Sequence, residues 1–174
     1  PICELFPNVL KLFQERLIAM MITKNVFAQD IATQNMGMAD TIWQRVNKID
    51  LKEVSKKLML DSSAQWTLEA VKQAESLYRH FLVLHALHPN EDLVPTKQID
   101  EFWHQHILDT RNYAQDCEFL FGRFLHHDPY FGINGDDDRL RNKQAFTWTQ
   151  ALWQSTFGEP LLGEANPCKS TDCR

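Results

Sequence analysis

At 174 residues and 20.4 kDa the chain has the size of one domain, able to bury a core without disulfide or metal staples. Its 18 basic and 23 acidic side chains leave a net charge of −5 and a pI near 5.8, which excludes the basic footprint of a generic nucleic-acid groove. Hydrophobic residues at 44% and charged ones at 24% exclude disorder and fibrous repeats, and six glycines with seven prolines leave too little turn punctuation for a sandwich or barrel.

In chain order, Leu5, Val9, Leu12, Phe13, Leu17 and Met20 recur at three- and four-residue steps and draw one apolar stripe on a first helix. Between Ile22 and Met38 polar residues dilute any pattern, and the segment reads as a loop with some helix. Asp40 caps a short helix through Trp43 and Val46, and Asp50 another through Val54, Leu58 and Leu60. From Ser62 or Ser63 a long helix runs to about Leu87, where Pro89 stops it. At 100° per residue its buried arc holds Val71, Ala74, Leu77, Tyr78, Phe81, Leu82, His85 and His88, with His80 turned away. Thr96 starts a helix expected to continue from about Lys97 to Phe121, with His106 at the centre of its apolar stripe and His104 facing outward. A structured turn through Pro129 and Gly132 leads to a last helix, opened by Asp136 to Asp138 and ended before Gly158, with Ala145, Trp148, Leu152 and Thr156 on its core side. The expected fold is all-α, a single compact bundle of five or six helices over residues 1–162 without significant sheet, followed by a loosely ordered tail over 163–174.

The longest apolar stretches are broken by Glu15, Arg16 and Lys24, so no membrane span is expected. Pro1 to Leu12 lack a basic start followed by an apolar run, and a cytoplasmic setting is the default. The four cysteines, at 3, 117, 168 and 173, make no disulfide framework. Cys117 lies on the apolar stripe with Leu120 and reads as a small hydrophobe rather than a nucleophile. The common hydrolase, nucleotide and thioredoxin signatures are missing, as is HExxH.

The anomaly is the histidines, all seven of which fall between residues 80 and 127. Imidazole is the commonest metal ligand and the side chain whose ordinary pKa lies nearest neutrality, so both explanations of such clustering are site explanations. His85 and His106 lie mid-face on two helices that a short loop folds antiparallel, which can bring their rings into one cavity. His126 or His127 can fold back onto them, and Asp109 can add a carboxylate, giving a metal set of His85, His106, Asp109, His126 and His127. Two histidines with one carboxylate suit non-haem iron, two axial histidines suit haem, and three histidines suit zinc; the spacings alone do not choose. Tyr113 and Asp116 are the expected proton-handling residues. The metal-free alternative is that each histidine bonds a local partner, as Asp109, Thr110 or Tyr113 could be for His106, within a module whose aromatic groove binds a peptide or partner protein.

The ordered set Val94, Pro95, Ile99, Asp100, Trp103, His104, His106, Tyr113, Asp116 and Cys117, with His127-Asp128 beyond it, resembles the glycine-rich domain-containing-protein-like family. The resemblance implies a helical domain and carries no established reaction. It also implies that Trp103 and His104 belong to the cofactor-binding part of the site. Either the helix is irregular enough for Trp103, His104 and His106 to line one site, or His104 answers to Asp100, four residues earlier. Members fused to a glycine-rich segment have regulatory or RNA-associated roles, which six glycines do not carry over to this chain. The resulting expectation is a small metalloprotein, an iron- or haem-dependent oxidoreductase or tailoring enzyme with zinc as the alternative ion. It would act on a small molecule or peptide without nucleic acid or membrane.

Overall fold

The computed structural model describes residues 37–60 and 66–165. The first helix expected from the sequence, the segment that follows it to residue 36, the Ser62 and Ser63 caps, and cysteines 3, 168 and 173 lie outside the described residues. The chain divides into two units, residues 1–41 and 42–174, and of the first only residues 37–41 are described, all helical.

The described residues form six helices: α1 over residues 37–46, α2 Lys52–Leu60, α3 Leu68–Leu87, α4 Lys97–Leu108, α5 Thr110–Phe121 and α6 Asp136–Phe157. Among them there is no strand, only an isolated antiparallel bridge between Thr96 and Ala165, the latter in the segment expected as a tail. No described helix is long and apolar enough to cross a membrane.

Local chemistry sets the boundaries. The Asp50 carboxylate accepts the Lys52 N–H at 3.1 Å and opens α2, while the Thr67 hydroxyl accepts from Ala70 at 3.1 Å and opens α3. Thr96 does the same for α4, and Gly122 (φ 64°) and Gly158 (φ 75°) close α5 and α6 in the left-handed conformation that glycine adopts without strain.

Helix α3 is the axis of the second unit and packs against α2, α4 and α6. That central place explains why Val83 and Leu84 are buried beyond the single arc expected, and why His80 is not a surface residue. Its ring sits among Trp43, Phe157 and Trp153 at centroid distances of 4.6, 4.7 and 5.6 Å, with Nδ1 2.7 Å from the Ser76 carbonyl oxygen. Arg79 ties the corner between α1 and α2 to the same helix, donating to the carbonyls of Val46 and Ile49 while paired with Glu75 at 2.7 Å.

Asp40, expected to cap α1, lies inside that helix, which is already formed at residue 37. Two larger expectations are corrected. On α6 the buried side is Asn142, Phe146, Thr149 and Trp153, with Ala145, Leu152 and Thr156 only partly buried on the flank. Trp148 is 48% exposed because its indole N–H reaches out to Glu91 at 2.8 Å, whereas the Thr149 hydroxyl holds the Val94 N–H at 2.9 Å. The stripe is thus rotated by about one residue, the loop before α4 supplying a polar partner that periodicity does not register.

The second correction positions the site. The continuous helix expected from Lys97 to Phe121 is broken at Asp109, whose backbone (φ −84°, ψ 63°) leaves the helical region and whose N–H bonds His106 O at 3.1 Å. A residue pair ten apart on one straight helix is separated by about 15 Å along its axis. Here Trp103 and Tyr113, ten apart, meet at 2.9 Å, and His106 and Asp116, also ten apart, at 3.1 Å. Helix α5 therefore folds back on α4.

Candidate metal centre

Folding α5 onto α4 sets His106 apart from His104 and His127. His106 is 2% exposed and sits in the core, its Nδ1 2.9 Å from the Tyr78 hydroxyl and its Nε2 3.1 Å from Asp116 Oδ2. A tyrosine hydroxyl on one ring nitrogen and a carboxylate on the other assign the proton to Nε2, so that Tyr78 donates and Asp116 accepts. Beside it the Tyr113 hydroxyl accepts from the Trp103 indole and donates to Leu125 O at 2.5 Å. Burial pushes the phenols of Tyr78 and Tyr113 upward, so both keep their protons. Burial likewise raises the Cys117 thiol, in keeping with its reading as a small hydrophobe.

The second group is Asp100, His104 and His127. Asp100 and His104 are four apart on α4 and share one face; His127 comes from the loop between α5 and α6, held by the Tyr113 bond to Leu125 two residues earlier. The His104 and His127 Nε2 atoms lie 3.1 Å apart, His127 Nε2 is 2.8 Å from Asp100 Oδ1, and His104 Nε2 is 3.5 Å from Asp100 Oδ2. The Asp100 side chain is only 3% exposed, and an ionised carboxylate so placed needs a partner. The three ligand atoms lie within 4.8 Å of one another, a group able to hold a metal ion.

The site opens on a cavity of about 540 Å³ between α3, the loop before α4 and the loop before α6. His85, Asp100, Trp103 and His127 form part of its wall. The Trp103 ring packs 4.6 Å from that of His127 and 5.8 Å from that of His85. The floor of the second loop is fixed by Asp138, which accepts the N–H groups of Gly132 at 2.6 Å and Asn134 at 3.1 Å and pairs with Arg141. The Asn134 N–H in particular holds that carboxyl below the usual range.

The expected ligand set of His85, His106, Asp109, His126 and His127 does not assemble into one cluster. His106 is taken by Tyr78 and Asp116, and Asp109 lies at the α4–α5 junction with its carboxylate accepting from Asn112 at 2.7 Å. His126 is exposed and packs at a tilt against Phe124, ring centroids 4.9 Å apart, while His85 reaches the cavity wall without joining the group. Tyr113 and Asp116, expected to move protons there, belong to the core network instead. His104, outward on the helical wheel, answers to Asp100 and His127. The sequence reading did not count Asp100 as a ligand, although its i, i+4 spacing from His104 was a usable signal.

A family model described as UCP032817-like matches residues 42–153, which hold every element of this site. The chain belongs to the UCP032817-like family. It is also similar to two Arabidopsis thaliana proteins, glycine-rich domain-containing protein 1 at 34% identity and glycine-rich domain-containing protein 2 at 33% identity, each over 95 residues. The match takes in 51% of this chain and 11% of each relative, so the chain corresponds to about a tenth of their length. No solved structure matches the chain.

Proposed function

We propose that this domain is a metalloprotein in which Asp100, His104 and His127 hold one divalent cation at the wall of the cavity. The convergence of one carboxylate and two imidazole nitrogens on a single point is the observation that carries the reading. His127 Nε2 is 2.8 Å from a carboxylate oxygen and 3.1 Å from another Nε2, and a ring nitrogen has either one proton or one lone pair. A proton on His127 Nε2 donated to Asp100 and shared with the His104 lone pair is the metal-free arrangement. A cation between the three atoms satisfies all of them through their lone pairs.

The spacing supports the same reading. For a metal–nitrogen distance of about 2.05 Å, neighbouring ligand atoms are about 2.9 Å apart in an octahedral shell and about 3.4 Å apart in a tetrahedral one. The observed 2.8, 3.1 and 3.5 Å cluster around those edges. Two converging nitrogens at 3.1 Å form a cis pair, unlike the trans pair that sandwiches a haem, so non-haem iron is the first choice and zinc the second. Three protein ligands leave positions open toward the cavity, the pattern of a catalytic rather than a structural site. Such an ion supplies Lewis acidity or one-electron chemistry when bound, and the chain's own part is to orient the two imidazoles, with Trp103 packed on His127, and to screen them from solvent. Our reading of the domain is an oxidoreductase or tailoring enzyme acting on a small molecule, supported by the open positions of that ligand set. The metal-free interaction module finds its support in the 2.8 Å His127–Asp100 bond, which can stand as a structural link by itself.

Elemental analysis of protein produced with iron and zinc supplied separates the two. About one ion per chain, lost in His104→Ala and His127→Ala, is the expected result; protein free of metal, with melting unchanged by a chelator, would leave the interaction module.

A further inference from the structure

The core network beside the candidate metal centre holds two phenols in unlike settings. Tyr113 donates to the carbonyl oxygen of Leu125, an amide that takes up no proton at neutral pH. Tyr78, fully buried, donates to a base, His106 Nδ1, at 2.9 Å. The chain of bonds continues outward, since His106 Nε2 donates to Asp116 Oδ2 at 3.1 Å and the Asp116 side chain is 20% exposed. Burial keeps the proton on Tyr78 at rest. Removing an electron turns a phenol into a strong acid, so the phenol that yields an electron most readily is the one with a base within hydrogen-bond reach.

The same side chains run without a gap to a metal ligand. Trp103 packs 4.6 Å from the His127 ring, and its indole N–H meets the Tyr113 hydroxyl at 2.9 Å. The Tyr113 ring lies 5.0 Å from that of His106, which lies 5.8 Å from that of Tyr78. Trp103, Tyr113 and Tyr78 are all buried, so the route is shielded from solvent. Indole and phenol are also among the side chains that lose a single electron most easily.

We propose that Tyr78 is a redox-active residue that supplies one electron, by way of Trp103, to an oxidant reduced at the metal ion, while its phenolic proton passes to His106. The assignment rests on the metal reading and deepens it, because a single ferrous ion gives one electron whereas cleavage of a peroxide O–O bond takes two. With hydrogen peroxide as oxidant, the ferrous ion and Tyr78 each lose one electron and the O–O bond breaks. The Tyr78 proton moves to His106 Nδ1, the His106 Nε2 proton moves to Asp116 and on to solvent, and two solvent protons complete two waters. Ferric iron and a neutral Tyr78 radical remain.

The chain has three tyrosines, at 78, 113 and 130, so single substitutions assign the radical. Iron(II)-loaded protein is mixed with hydrogen peroxide, frozen and read by electron paramagnetic resonance. A tyrosyl signal is expected, falling at least tenfold in Tyr78→Phe and persisting in Tyr130→Phe. Asp116→Asn, which keeps a hydrogen-bond acceptor but weakens the proton exit, should lower the radical yield several-fold, and it replaces Tyr78→Phe should that variant not fold. Flash photolysis of ruthenium tris-bipyridine with persulfate oxidises the metal-free protein, and in a Tyr130→Phe background its tyrosyl signal should again vanish with Tyr78. A signal that survives Tyr78→Phe, a yield unchanged in Asp116→Asn, or no tyrosyl signal from the parent in either experiment overturns the assignment. Iron bound at one ion per chain without a Tyr78 radical removes only the electron donor. A Tyr78 radical under photolysis, in protein that takes up no iron, removes only the metal.

Discussion

Replacing Tyr113 by phenylalanine removes one oxygen atom and should disturb both the core and the candidate metal centre. The hydroxyl accepts from Trp103 Nε1 at 2.9 Å and donates to Leu125 O, and Trp103 and Leu125 are each only 4% exposed. Neither partner can turn to water, so the variant orphans one buried N–H and one buried carbonyl at about 1–3 kcal/mol each. Allowing for partial relaxation, the expected loss is about 2–4 kcal/mol. With a urea slope of about 2 kcal/mol/M the midpoint should fall by about 1–2 M at unchanged slope, and the melting temperature by roughly 5–15 °C. Because Leu125 stands two residues before His127, the same substitution should also weaken metal binding several-fold. Urea unfolding followed by tryptophan fluorescence reads the first effect and a metal titration the second. A midpoint within about 0.3 M of the parent would refute the claim that this hydroxyl bridges α4 to the loop that carries His127.

Three other outcomes follow from the same geometry. His106→Ala should destabilise by about 3 kcal/mol or more, since it leaves the Tyr78 hydroxyl and Asp116 without their shared partner and opens a cavity, yet leave metal stoichiometry unchanged; loss of metal would put His106 back in the ligand shell. His85 carries a pH dependence: its folded pKa of about 3 lies below the ordinary value of 6.5, so the unfolded chain binds the proton first as pH falls. Stability should therefore drop by up to about 1.4 kcal/mol per pH unit between about 6 and 3, a slope that His85→Phe reduces and that unfolding curves at pH 7 and 4.5 measure. Gly132→Ala should cost at least about 1 kcal/mol, because Gly132 has φ 96° and a Cβ there would meet Asn142 Cβ at 2.9 Å; a neutral result in thermal melts would mean that the loop is free to shift.

Much of the fold was legible because it rests on local rules. The caps at Asp50 and Thr96, the stop at Pro89 and the glycine at 158 act within one helical turn, and the burial of Tyr78 and Phe81 follows from 3.6-residue periodicity. The break at Asp109 was not legible, because no glycine or proline marks it and Asp109 serves at once as the end of α4 and the start of α5. That one residue decided the partners. Extended as one helix, the wheel gave His106 the neighbours Asp109, Thr110 and Tyr113; folded back, Asp116 reaches His106 and Tyr113 reaches Trp103. The wheel also turned His104 outward correctly with respect to the core, but facing away from the core here means facing His127, which arrives from a loop with no periodicity to read. The clustering of histidines marked the stretch that contains the Asp100, His104 and His127 group, and the i, i+4 pair of Asp100 and His104 was the part of that group that sequence spacing could have supplied.

Cobalt(II) titration of the protein, followed by visible absorption, reads the ligand claim most directly because the ion's bands report coordination number and donor type. Saturation at one ion per chain, with the spectrum abolished in a His104→Ala, His127→Ala double variant and kept in His126→Ala, is the predicted result. No uptake by the parent protein, or a spectrum that survives the double variant, would contradict it.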